Sequence, residues 1–146
     1  MTAPVVTWHP EAALVGALLG AHGLPVEDIT ASMLPDFAVA SSHGEPCGVV
    51  GLQRDGDVAL LRSLAVSHQA RGRGLGAALV AEAERVARAH GVRTLYLLTT
   101  DAAPFFARLG YAAIPRRDAP EPIRATAQFS SIVCSSATLM TKVMAG

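Results

Sequence analysis

Apolar and polar positions along this chain change rhythm several times, and each change marks an element. Val5 to Trp8 is a short β-prone run that His9 and Pro10 end. From Pro10 the stretch EAALVGALLGAHG keeps Ala13, Leu14, Ala17, Leu18 and Ala21 at helical spacing. Pro10 suits a first helical turn, and Gly23 followed by Pro25 stops the helix. Residues 26–34 read as a second short helical piece. Phe37 to Ser42 reads as a strand, Ser42-His43-Gly44-Glu45 as its turn, and Pro46 to Gln53 as the next strand. Arg54-Asp55-Gly56-Asp57 is a hairpin signal. Val58 to Val66 completes the meander and is apolar at nearly every position, the pattern of a strand covered on both faces.

The second half begins with a glycine-rich loop, His68 to Gly76, which opens into AALVAEAERVARAHG. Leu75, Leu79, Ala83 and Val86 lie at helical spacing as a buried stripe, with Glu82, Arg85 and Arg88 pointing outward, and Gly91 ends the helix. Thr94 to Thr99 is a further buried strand. Asp101 can cap a short helix through Leu109 that Gly110 ends. Tyr111 to Ile114 reads as a strand with Tyr111 in the core, and Ser136 to Val143 as a last strand of alternating pattern. Between them, residues 115–128 carry prolines at 115, 120 and 122 and form a loop or a proline-started helix. The order is strand, helix, three-strand meander, helix, strand, helix, two strands. This predicts one mixed α/β domain over residues 1–146, with no internal repeat.

Composition narrows the class. At 146 residues and 51% hydrophobic content the chain needs no metal or disulfide to fold. Twelve basic residues balance twelve acidic ones, which argues against a nucleic-acid partner, since such binding rests on clustered positive charge. No apolar run reaches the ~18 residues of a membrane span, and MTAPVVTWHPEAAL lacks the basic start and apolar block of a secretory signal. Cys47 and Cys134 sit in no CxxC motif and near no His pair at ligand spacing. They read as reduced thiols of a cytoplasmic protein, with no metal site. His9, His22, His43, His68 and His90 show no partner pattern.

The loop carries the chemistry. Gly72, Gly74 and Gly76 remove side chains where a backbone must approach something closely. They lead into a helix amino terminus, where unpaired N–H groups and the helix dipole favour an anion. A diphosphate fits, and Arg71 and Arg73 add positive charge. A solvated tight turn is the bland alternative. A Rossmann site matches loosely through Gly72, Gly74 and Ala77. However, about five residues separate the loop from Val66, and too little chain follows for a doubly wound sheet. The GxxxxGK[ST] nucleotide loop is absent.

Arg71-Gly72-Arg73-Gly74-Leu75-Gly76 closely resembles the R-x-x-G-x-G/A signature of GCN5-related N-acetyltransferases, the GNAT superfamily. The match extends back through LRSLAV and forward through the long helix, LYLLTT, and PFFARLGY, which is similar to the family's FYxxxGF helix end. More narrowly, LLRSLAV, YLLTT, FFARLGY and the tail IRATAQFSSIVCSSATLM resemble the acetyltransferases of arsenic-resistance operons. The LTT…FF…GY portion also resembles N-acetylglutamate synthase domains. The resemblance implies a mostly antiparallel sheet with a central splay and flanking helices. It implies acetyl-CoA as cosubstrate, its pyrophosphate on the amides of Arg71, Gly72, Arg73, Gly74, Leu75, Gly76 and Ala77. The pantetheine arm would pair with the edge of Leu64, Ala65 and Val66, and the Leu64 N–H would donate to the thioester carbonyl. Ala102 and Phe106 match helix positions bordering the sulfur. A homodimer is compatible with the family, though no motif here marks one.

The implied reaction is attack of an amine on a thioester, so an ammonium must lose a proton and a thiolate must gain one. The family often places a Glu on the last strand of the meander. No carboxylate stands between Val58 and Val66, and the usual protonating Tyr is Phe106. A fixed acid/base pair is therefore not expected, and an amine deprotonated by solvent is the simplest nucleophile. Acceptor candidates are Arg62 and Ser63 in the otherwise apolar strand, Thr99 and Thr100 at a strand end, Arg124 in the proline-flanked segment, and Ser135. Arg62 precedes the thioester position by two residues, and its fork suits a carboxylate; a structural ion pair is the alternative. Thr99 and Thr100 could equally cap the helix ahead of residue 102. Two function classes follow: an N-acetyltransferase acting on a small amino-acid-like amine, arsenic-containing or glutamate-like, and an acetyl-CoA-binding sensor or subunit without turnover.

Overall fold

The computed structural model describes residues 4–24, 26–72, 74–130 and 136–144. Its strands are β1 (Val5–Trp8), β2 (Phe37–Ser42), β3 (Glu45–Asp55), β4 (Val58–Val66), β5 (Thr94–Thr99), β6 (Ala112–Ile114) and β7 (Thr138–Val143). The helices are α1 (Ala12–Ala21), α2 (Leu75–Ala89), α3 (Ala103–Arg108), α4 (Glu121–Arg124) and α5 (Ala127–Ser130). Their contacts group into two compact units: Met1–Gln53 with Arg62–Arg85, and Arg54–Leu61 with Val86–Gly146. Strand β4 thus gives its first half to one unit and its second half to the other.

In the first unit, β1 pairs antiparallel with β2, and β2 with β3. His43 and Gly44 both take positive φ, 53° and 79°, which turns β2 into β3 with the twist that a tight hairpin needs. Val15, Leu19, Leu34, Phe37, Val39, Val49 and Ala65 form the core. Glycines in β3 make that packing close. A Cβ on Gly51 would stand 2.5 Å from the Phe37 ring, and one on Gly48 would stand 2.8 Å from Leu79. Helix α1 is phased differently from the sequence expectation. It buries Val15 and Leu19, leaves Leu14 and Leu18 half-buried, and exposes Ala13, Ala17 and Ala21. AALVGALLGA has no polar face, so its own pattern cannot fix which side turns inward. The short helical piece expected at 26–34 is a 3-10 segment at Ala31–Asp36, beginning after Thr30.

In the second unit, Val58, Ala59 and Leu60 pair in parallel with Thr94, Leu95 and Tyr96. Strand β5 then pairs antiparallel with β7, and β7 with β6. A parallel neighbour needs a long crossover, and α2 lies in the connection between β4 and β5. Leu60, Ala119, Ile123 and Leu139 form the core here, with Val58, Tyr96, Leu98, Ile114 and Phe129 packed against it. Residues 115–128 resolve into a 3-10 turn at Arg116–Asp118 and the proline-started α4, followed by α5. Arg116 fastens the segment by donating to the carbonyls of Phe129 (3.0 Å) and Ala137 (3.1 Å), with its guanidinium over the Phe129 ring. The ladders are therefore mixed and mostly antiparallel, with flanking helices, as the α/β class requires. Among the described residues, no helix is long and apolar enough to cross a membrane.

Candidate functional site

Helix α2 begins at Leu75, and its first backbone bond joins the Ala78 N–H to the Gly74 carbonyl (3.0 Å). The N–H groups of Leu75, Gly76 and Ala77 precede that ladder, at the positive end of a 15-residue helix. Ahead of them, Gly72 and Gly74 take φ of 80° and 77°, and, apart from each glycine and its chain neighbours, no described atom lies within 4 Å of a Cβ added at either. Backbone conformation, rather than crowding, is what demands glycine there. Leu75 is buried and anchors the turn, while Gly76 and Ala77 are half-buried. Arg71 is exposed and its Nε donates to the Val66 carbonyl (3.3 Å), tying the loop back to the end of β4. Arg73 lies outside the described residues.

Strand β4 carries the second feature. Its parallel ladder with β5 ends at Leu60↔Tyr96, although β4 runs on to Val66. Ala59, Leu60, Leu61 and Arg62 are buried in succession, as expected of a strand covered on both faces. Ser63 then takes φ of 61°, a left-handed conformation in mid-strand for a residue with a Cβ. That turn breaks the alternation. The expectation that Arg62 and Leu64 share a face assumed an unbroken strand and does not apply. Leu64 and Val66 are half-buried and Ala65 is buried; Ser67 N–H closes the strand on the Cys47 carbonyl (2.8 Å).

Arg62 departs most from the sequence expectation. Its side chain is 1% exposed. Nη1 donates to Asp28 Oδ2 and to Gln53 Oε1 (2.8 Å), Nη2 to Asp28 Oδ1 (2.9 Å), and Nε to Ser63 Oγ (3.0 Å). The guanidinium stands 5.8 Å from the Phe37 ring centroid. The two-pronged fork reserved for an acceptor carboxylate is engaged by the Asp28 carboxylate, so the structure corrects that assignment to an internal ion pair. Hydrogen bonds from Arg62 hold the Asp28 carboxyl below its ordinary value, against a smaller upward push from burial. Sequence reading missed Asp28 and Gln53. Asp28 stands 34 positions from its partner, and nothing local to it signals a pairing.

The remaining candidates belong to the second unit. Thr99 is buried, and its Oγ1 accepts from the Ala102 N–H (3.0 Å). Thr99 therefore opens α3, whose N-cap position is Ala102 rather than the expected Asp101, which is exposed. Thr100 is exposed. Ala102 is half-buried. Phe106 is buried, with Phe105 and Tyr111 edge-on at 5.0 and 5.8 Å. Arg124 has a 48% exposed side chain and a loose contact to Glu121 (3.4 Å). Ser135 and Cys134 lie outside the described residues. Cys47 is a buried free thiol, and burial pushes its pKa up, away from nucleophilic thiolate character. Among the described residues, no group of three His, Cys, Asp or Glu could hold a metal ion.

A family model described as an acetyltransferase (GNAT) domain matches residues 35–113, just over half of the chain. An uncharacterized N-acetyltransferase of Chlorobaculum tepidum is 36% identical over 89 residues, which span 60% of this chain and 57% of that relative. Among solved structures, N-acetylglutamate synthase from Neisseria gonorrhoeae, complexed with coenzyme A and N-acetyl-glutamate, superimposes with a TM-score of 0.85. It is 20% identical and covers all of this chain, which spans 36% of the synthase. A GNAT-family acetyltransferase from Staphylococcus aureus gives a TM-score of 0.76 at 18% identity, covering 98% of this chain and 100% of its own. At these identities the structural likenesses establish the fold.

Proposed function

The chain belongs to the GNAT acetyltransferase family, and from that premise we propose that it transfers acetyl from acetyl-CoA to the primary amine of a small, amino-acid-like acceptor. The observation that carries the reading is the pair of left-handed glycines, Gly72 and Gly74, set before the free N–H groups of α2. Such a turn aims backbone donors at an anion without a side chain in the way, and a pyrophosphate suits it. Arg71 adds charge beside the loop. The backbone edge of Leu64, Ala65 and Val66 offers a peptide-like arm its hydrogen-bonding groups.

In this reading the Leu64 N–H donates to the thioester carbonyl oxygen and stabilises the negative charge that develops on it when the amine attacks. Strand β4 has no carboxylate and Phe106 has no acidic proton, so no side chain there serves as base or acid. The acceptor amine reaches the carbonyl carbon as the free base, having lost its proton to water. The attached nitrogen gives up its extra proton to water, the carbon–sulfur bond breaks, and the departing thiolate takes a proton from solvent. Amide and free thiol are the products.

With Arg62 committed to Asp28, anionic groups of the acceptor fall to Arg124, Thr100 and Ser135. The motifs around LLRSLAV and FFARLGY favour an arsenic-containing or glutamate-like amino acid, acetylated for detoxification in the cytoplasm by one domain spanning 1–146. The missing carboxylate and the phenylalanine at 106 also favour a second reading, an acetyl-CoA-binding sensor. Release of coenzyme A thiol across glutamate, phosphinothricin-like and arsenical amino acids separates the two. Turnover with at least one amine supports transfer, and turnover lost in Arg124→Ala with acetyl-CoA affinity intact supports the acceptor assignment. Acetyl-CoA binding without thiol release on any amine would establish the sensor instead.

A further inference from the structure

We propose that Asp28 and Arg62 form a positioning clamp that holds Ser63 in its left-handed conformation and thereby fixes the direction of the Leu64 N–H. A serine at φ 61° inside a strand is strained, and such a residue persists only where its surroundings over-determine it. The side-chain contact on Ser63 comes from Arg62. Its Nε holds Ser63 Oγ, while the rest of the guanidinium is fixed by Gln53 on β3 and by both oxygens of Asp28, on the segment ahead of the 3-10 turn. With the Arg62 side chain 1% exposed and seated at the Phe37 ring, it has no solvent route to another position. A bidentate carboxylate pins both the plane and the distance of a guanidinium, and a single lysine-like charge could not.

The consequence lies one peptide bond further on. The plane of the Ser63–Leu64 peptide is set by the backbone angles of Ser63. If Ser63 relaxes to an ordinary extended conformation, that plane rotates and the Leu64 N–H points elsewhere. Asp28 and Arg62 are therefore positioning residues, acting through Ser63. Their effect on turnover rests on the proposed acetyl transfer and the role given there to Leu64, whereas the clamp itself does not.

A glycine at position 63 supplies the test, because glycine adopts a left-handed conformation without penalty and needs no clamp. Asp28→Asn should lower kcat about tenfold or more, a fraction of what losing an oxyanion donor outright costs. Acetyl-CoA affinity should stay within about threefold, and the Leu64 amide resonance should move. In the Asp28→Asn/Ser63→Gly double variant, kcat should return to within about threefold of Ser63→Gly alone, with the resonance near its position in that variant. Equal impairment of kcat with serine or glycine at 63, or an unmoved Leu64 resonance, would overturn the clamp and leave Asp28 a simple anchor. If Asp28→Asn fails to fold, Gln53→Leu removes one contact, keeps the ion pair, and is subject to the same comparison with a smaller loss. If the wild type neither binds acetyl-CoA nor releases thiol, the functional reading fails, and the Leu64 resonance still decides the clamp.

Discussion

The two compact units keep their charges in different ways. The first, Met1–Gln53 with Arg62–Arg85, carries seven acidic and four basic residues, and the second carries five acidic and eight basic. In the first, the buried cation is met by a carboxylate: Arg62 on Asp28. In the second, cations grip the main chain: Arg116 on the carbonyls of Phe129 and Ala137, and Lys142 on that of Leu109 (2.9 Å). A carbonyl acceptor does not titrate. A carboxylate acceptor does, and acid can discharge it. The loop proposed to hold a diphosphate sits in the more acidic unit, so that binding relies on local backbone N–H groups rather than on the field of the unit around it.

Removing one partner of the buried pair should have the largest effect on stability. Asp28→Ala leaves the Arg62 guanidinium buried without its counter-charge, and such losses cost about 3–5 kcal/mol. Urea unfolding should report a loss of that order. The corresponding clasp variant, Arg116→Met, removes the two hydrogen bonds that a charged donor makes to the neutral carbonyls of Phe129 and Ala137. A loss of about 1–3 kcal/mol is expected. Equal losses in the two variants would erase the distinction between the units.

Acid should sharpen it. Because Arg62 lowers the folded-state pKa of Asp28 below its ordinary 3.8, folding binds fewer protons there than the unfolded chain does. The pair's contribution is therefore complete above that ordinary value and is lost as pH falls below it, through the folded pKa. Amide exchange compared at pH 6 and about pH 3 should show Phe37, Val49 and Ala65 losing protection ahead of Leu97 and Leu139, once intrinsic rates are corrected. Uniform loss, or earlier loss in the second unit, would remove the Asp28–Arg62 pair as the acid-sensitive element.

Legibility in the sequence followed the range of the forces involved. Strands β2 to β5 and helix α2 were readable because their patterns are local: β-rich runs between turn residues, and an apolar stripe with charges opposite. The glycine loop was readable for the same reason, since left-handed turns and a helix start announce themselves within six residues. The phase of α1 was not, because a helix that is apolar all round takes its orientation from its neighbours. Arg62 was recognised as a charge needing a partner, but a pairing across 34 positions leaves no periodic trace. Ser63 was hidden too, since serine gives no hint of a positive φ that its neighbours impose.

Whether the turn before α2 holds the diphosphate of acetyl-CoA is decided by calorimetric titration of acetyl-CoA into the wild type and Gly74→Glu. A glutamate at φ 77° strains the turn and brings a negative charge to the helix amino terminus, where an anion should sit. Saturable binding to the wild type and at least a 100-fold loss in the variant are expected, with the variant's far-ultraviolet dichroism unchanged. Equal affinity in the two folded proteins would place the diphosphate elsewhere.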